Sequence, residues 1–159
     1  MQAGLDAQAA YLALLGMSRS ETLSPNLANL SLASGVYAST SGAFAISGGD
    51  LILDARGDLN AIWVFQMSQS LTVGGPGATA PQSVVLVGGA QAKNVYWQVG
   101  GSATINAAGG GTMVGTVIAQ SGVAFSSVGN AAVVTLQGRA FSLGGSVTVA
   151  NTIINVPAP

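Results

Sequence analysis

Four tetrads along this chain share one alternation: Ser70-Leu71-Thr72-Val73, Ser102-Ala103-Thr104-Ile105, Gly122-Val123-Ala124-Phe125 and Ser146-Val147-Thr148-Val149. Successive side chains of a strand point to opposite faces. The second and fourth residues of each tetrad are apolar and should point inward. The first and third are small or hydroxylic and should point outward. Gly, Ser and Asn separate the strands, and there is hardly a charge among them. Short strands, tight corners and one repeated pattern read as the stacked coils of a β-solenoid. Thr104 and Thr148 are 44 residues apart, which leaves room for two coils if Ala124 lies between them.

A second set is Thr112-Met113, Thr135-Leu136 and Thr152-Ile153, each a Thr followed by an apolar residue. Its spacings are 23 and 17, so the period is loose and the corners must slip. A β-sandwich also gives short strands with turn signals and is the alternative fold. Small residues repeated at corresponding corners favour the solenoid.

Other segments read differently. Gly4 to Gly16 is rich in Ala and Leu and reads as a helix that Gly16 closes. Its polar residues are few, so it should be covered on more than one side. Residues 17–34 carry Ser, Asn and Pro25 between spaced Leu residues, which suggests a loop with one short strand. From Gly35 onward the pattern is β.

Composition removes several classes of function. At 159 residues the chain is one domain with room for a sizeable core. Charged residues are 6% of it, against about 25% in ordinary globular proteins. Arg19, Arg56, Lys93 and Arg139 are too scattered for a basic patch, so nucleic acid is not an expected partner. Mean hydropathy is +0.55, yet polar residues and Gly break every apolar run before it reaches the roughly 18 residues of a membrane helix. With no Cys and no His, the chain lacks thiolate ligands, the commonest general base and the commonest metal ligand. No cofactor is expected, and the chain reads as a non-enzyme. Residues 1–16 show no basic leader of the secretory type.

The stretch from Leu51 to Gln66, LILDARGDLNAIWVFQ, resembles the signature LTLDAQGD-x-NAVFIFQ of the DUF3494-type ice-binding family of bacteria and fungi. Ser34-Gly35-Val36-Tyr37 is similar to that family's PGVY turn. Residues 83–100 are similar to its VVLINGAQACNVFWQVG pattern, with Lys93 where Cys is frequent. Val114 to Ala119, Gly138 to Phe141 and Asn151-Thr152-Ile153 resemble its last coils and ending. The resemblance implies a mainly β fold: a right-handed, discontinuous β-solenoid of triangular section with one α-helix packed alongside. It implies secretion and adsorption to ice crystals through a flat face. Family members carry coils and a cap before the helix, and this chain starts at the helix. The family's Thr-Gly-x-Thr face is thin here, and the loop at 107–111 and the segment 126–137 look longer than usual.

Thr carries the candidate chemistry. β-branching holds its methyl and hydroxyl in few rotamers, and a sheet repeats equivalent residues about 4.8 Å apart. The candidate ice-binding residues are Thr72, Thr104 and Thr148 on one face, and Thr112, Thr135 and Thr152 on another, with Ser83 nearby. Thr is also simply a good outward strand residue. Asp50, Asp54, Asp58 and Arg56 form a charge cluster. It could hold calcium or an acid/base pair, but Asp more often turns corners through local backbone bonds. Trp63 and Trp97 read as core. The runner-up function is structural: end-to-end self-association of open coils into a filament or surface layer.

Overall fold

The computed structural model describes residues 2–75, 81–106, 110–125 and 132–158. Helix α1 (Gln2–Leu15) comes first. The strands that follow are β1 (Glu21–Leu23), β2 (Ser31–Leu32), β3 (Gly35–Ser39), β4 (Phe44–Ile46), β5 (Leu51–Asp54), β6 (Trp63–Met67), β7 (Leu71–Val73) and β8 (Val84–Val87). After one 3₁₀ turn at Ala92–Asn94 come β9 (Val95–Val99), β10 (Ser102–Ile105), β11 (Thr112–Ala119), β12 (Gly122–Phe125), β13 (Val134–Ser142), β14 (Val147–Val149) and β15 (Thr152–Asn155).

The strands form three sheets, and the chain visits them in rotation. Sheet A runs β1-β3-β6-β9-β11-β13-β15, sheet B runs β4-β7-β10-β12-β14, and sheet C runs β2-β5-β8. Every ladder between neighbours is parallel. A β-sandwich would be antiparallel, so that alternative is overturned.

The interior consists of columns, because in-register stacking puts like on like. Tyr37, Phe65 and Trp97 occupy successive rungs of sheet A. Phe65 stacks on Trp97 with ring centroids 4.1 Å apart, and on Tyr37 at 5.7 Å. Such contacts contribute about 0.5–1.5 kcal/mol each beyond area burial. Trp63 and Trp97 are fully buried, as the sequence suggests. Their indole N–H groups donate to the carbonyls of Leu32 and Val114.

Strands β11 and β13 turn a corner without ending. The first half of β11 packs beside β8 on the sheet C side with the first half of β13 paired to it, and their second halves continue sheet A. The bend lies at Gly115, whose φ of 101° suits only glycine among ordinary residues. Gly138 sits opposite it, with the position of a Cβ filled by the Gly115 carbonyl oxygen.

Helix α1 contains good helix formers and no β-branched residue. Ala7, Tyr11 and Leu14 form its one buried stripe, set against Val64 and Ile118 of sheet A. Leu5, Leu12 and Leu15 stay exposed, so the expectation of cover on more than one side fails. Among the described residues the helix lies over one sheet, with no second layer above it. Its last carbonyls are collected by buried Gln66, whose side-chain amide donates to Leu14 O at 2.7 Å and Met17 O at 2.9 Å. Arg19 holds that amide by donating to its oxygen at 3.1 Å. Residues 17–34 carry two strands, β1 and β2, not the one expected. Each gains an edge position in a sheet too short to show as a periodic run.

Gly138→Ala should lose at least ~3 kcal/mol of stability or fail to fold, because backbone fills the site on the facing strand. Urea unfolding of the variant against the parent checks this.

Candidate functional site

Three faces are available, and they differ in cover and continuity. Sheet A is partly covered by α1. Sheet C breaks its ladder between β8 and β11 and has Asp54 at its corner. Sheet B is continuous over five strands.

The tetrads read from sequence are the rungs of sheet B. Leu71, Ala103, Val123 and Val147 stand opposite one another, as do Val73, Ile105, Phe125 and Val149. Apart from the two β14 residues, these are buried. The outward residues between them form one column: Ala45, Thr72, Thr104, Ala124 and Thr148. Ala124 lies between Thr104 and Thr148, as the spacing implied. A second column follows from the same register: Ala43, Ser70, Ser102, Gly122 and Ser146. Strand spacing repeats these groups about 4.8 Å apart across the sheet and about 6.6 Å along each strand. No member of either column is charged. Among the described residues, the hydroxyls of Thr72, Thr104 and Thr148 make no hydrogen bond to protein.

The first rung was not read from the sequence. Ala43-Phe44-Ala45-Ile46 has the same small–apolar alternation, but its outward positions are both Ala and carry no hydroxyl signal. Strand β4 pairs Ala45 with Thr72 and completes the face.

The other candidates sit elsewhere. Thr112 and Thr135 are opposite each other on the sheet C side. Thr152 does not extend that column: it pairs with Val134, and Ile153 takes the place opposite Thr135. The register is one residue away from the Thr-to-Thr match, because β15 is placed by its corner. There Thr152 Oγ1 donates to Ala150 O at 2.7 Å. Ser83 is also structural, with its hydroxyl accepting from the Thr112 N–H at 3.0 Å. The unusually long loops expected at 107–111 and 126–137 fall partly outside the described residues.

The carboxylates turn corners. Asp54 accepts from the Arg56 N–H and Asp58 from the Asn60 N–H, both at 2.8 Å and both two residues on. Asp50 reaches across a coil to the Ser83 N–H at 2.7 Å. These are Asx-turn and strand ties. Among the described residues no group of three potential metal ligands converges. A groove of about 550 Å³ between α1 and sheet A is lined by alanines, Tyr96, Ile118 and Phe141. Asp6 on its wall is bonded by Gln2 at 2.8 Å, and among the described residues no second carboxylate or basic group lines it. Among the described residues no helix is long and apolar enough to cross a membrane.

These features define a three-faced parallel β-solenoid with one uncharged face of repeated methyls and hydroxyls. The Ice-binding-like family model matches residues 1–155. The chain is 35% identical over 125 residues to Ice-binding protein 1 of Shewanella frigidimarina, covering 77% of this chain and 12% of that protein. It is 33% identical over 149 residues to the Ice-binding protein of Nostoc sp. strain HG1, covering 93% of this chain and 50% of that one. A solved ice-binding protein from an Antarctic biological consortium superposes with a TM-score of 0.84 at 37% identity, over 96% of this chain and 64% of its own. The chain belongs to the Ice-binding-like family. It spans half or less of the two sequence relatives.

If the carboxylates serve only the corners, calcium should not shift the melting temperature. Asp54→Ala should cost about 1 kcal/mol through the lost bond to the Arg56 N–H. Thermal melts with calcium and with chelator check both.

Proposed function

We propose that this chain binds ice through the outward lattice of sheet B, as a non-enzymatic adsorbing surface. The observation that carries the reading is the register. Ala45, Thr72, Thr104, Ala124 and Thr148 are held in one column by the ladders of five strands. Beside it runs a column of Ser, Ala and Gly.

The physics is geometric. β-branching restricts the Thr rotamers, so the rungs of Thr72, Thr104 and Thr148 each offer a methyl and a hydroxyl in nearly fixed positions, and those of Ala45 and Ala124 a methyl. The strand ladders repeat those positions at about 4.8 Å and about 6.6 Å. Water held over such an array is ordered before a crystal arrives, so less entropy is lost when it joins the lattice. Charged side chains would hold water in their own liquid-like shells, and here neither column has one. Membership of the family, and the names of its relatives, support the same substrate. The site of action is outside the cell, where ice grows; that placement rests on the ice reading.

Thr104→Tyr places a bulky ring in the middle of the lattice and should abolish freezing-point hysteresis. Thr135→Tyr, on the sheet C side, should leave it unchanged. The reading fails if the parent shows no hysteresis, or if Thr135→Tyr is the variant that loses it.

A further inference from the structure

One residue joins sheet B beyond β4 without belonging to a strand. Asn26 makes a single parallel bridge to Ala45. The backbone on both sides of it is bonded to Ala45: Ala45 N donates to Pro25 O at 2.7 Å, and Leu27 N donates to Ala45 O at 2.8 Å. Leu27 is fully buried and falls opposite buried Ile46 in the same register. Asn26 therefore points the other way, to the outer side that Ala45 faces, and it is exposed.

This rung is short because the corner before it is cut. Leu23 stands opposite Ser39 and Asn26 opposite Ala45, so three steps of chain cover what takes six on the next coil. Just after it the Asn29 N–H donates to Asp50 O, and the chain has left sheet B. A rung with one outward residue has no alternation to read.

The Asn26 side chain is clamped. Its Oδ1 accepts from the N–H groups of Ala28 at 3.2 Å and Ser47 at 3.1 Å, and its Nδ2 donates to Ser47 O at 3.0 Å. An Asn amide has two N–H donors and two lone pairs on its oxygen. The oxygen is thus filled, and one N–H has no protein partner among the described residues. The Thr side chains of this face are held by β-branching; Asn26 is held by hydrogen bonds. A hydroxyl can turn to donate or to accept. This N–H can only donate, and from a fixed place.

We propose that Asn26 is an ice-contacting residue that extends the outward column by one rung and donates its remaining amide N–H to a water oxygen of the crystal. The proposal rests on the reading of sheet B as the ice-binding face. The column then runs Asn26, Ala45, Thr72, Thr104, Ala124 and Thr148, with no charge along it. The residues flanking Asn26, from Leu23 to Ala28, carry no charge either. The amide adds one directional bond to a face of methyls and turning hydroxyls. It favours crystal orientations that bring an oxygen to that end of the column.

Magnetisation transfer from ice protons in a frozen solution of the parent chain tests this without a variant, with isotope labels in the side-chain amides and the Thr methyls. Transfer should reach the Asn26 amide as fast as the Thr104 methyl. It should be much slower to the Asn94 amide, which donates to Leu59 O at the corner between sheets C and A. A second test is Asn26→Asp, which keeps an oxygen to accept from Ala28 and Ser47 and puts a charge in the column. It should lower freezing-point hysteresis about threefold or more, because a carboxylate resists losing its water. Ser31→Asp adds the same charge on sheet C, opposite Ile52, and should leave hysteresis unchanged. Circular dichroism confirms both folds. If Asn26 behaves like Asn94 while Thr104 takes up magnetisation, the proposal is overturned and the ice-binding reading stands. If neither Asn26 nor Thr104 takes it up, both fall. Equal hysteresis in the two folded aspartate variants also overturns the proposal.

Discussion

Parallel stacking in register is the constraint from which the rest of this molecule follows. Each coil bonds to the next through backbone, so a residue's place in the coil fixes its neighbours above and below. An apolar residue at an inward position must sit on another. Tyr37, Phe65 and Trp97 form one such column, and Leu71, Ala103 and Val123 another. The same rule acts outward. Whatever the sequence places at the outward position of one rung is repeated at strand spacing, and a surface lattice arises with no interaction of its own to hold it.

The charge distribution is the counterpart of that lattice. Asp50, Asp54 and Asp58 satisfy backbone N–H groups at corners or across a coil. Arg19 is spent on Gln66, which ties helix α1 to sheet A. Sheet B is left with methyls and hydroxyls.

Sheet B was legible in the sequence because four of its rungs share one alternation, three of them with Thr at the same place. The face of Thr112, Thr135 and Thr152 was misread for the same reason. Matching Thr to Thr ignored that β15 is placed by its corner, which shifts its register by one residue. The first rung, Ala43 to Ile46, escaped because Ala marks an outward position no more than an inward one. Strands β1 and β2 escaped because two or three residues carry no period. Gln66 looked like an ordinary strand residue; its role as a helix cap depends on a helix more than fifty residues earlier in the chain. Contacts of that range leave no local signal.

The central claim is that ice meets sheet B. Because the chain has no cysteine, a single introduced thiol takes a bulky label at one chosen place. The measurement is the partition of labelled protein between slowly grown ice and the remaining liquid. The account predicts that protein labelled at Thr72→Cys stays in the liquid, while protein labelled at Thr135→Cys enters the ice like the unlabelled parent. Equal partition of the two labelled forms, or a parent that remains wholly in the liquid, would contradict it.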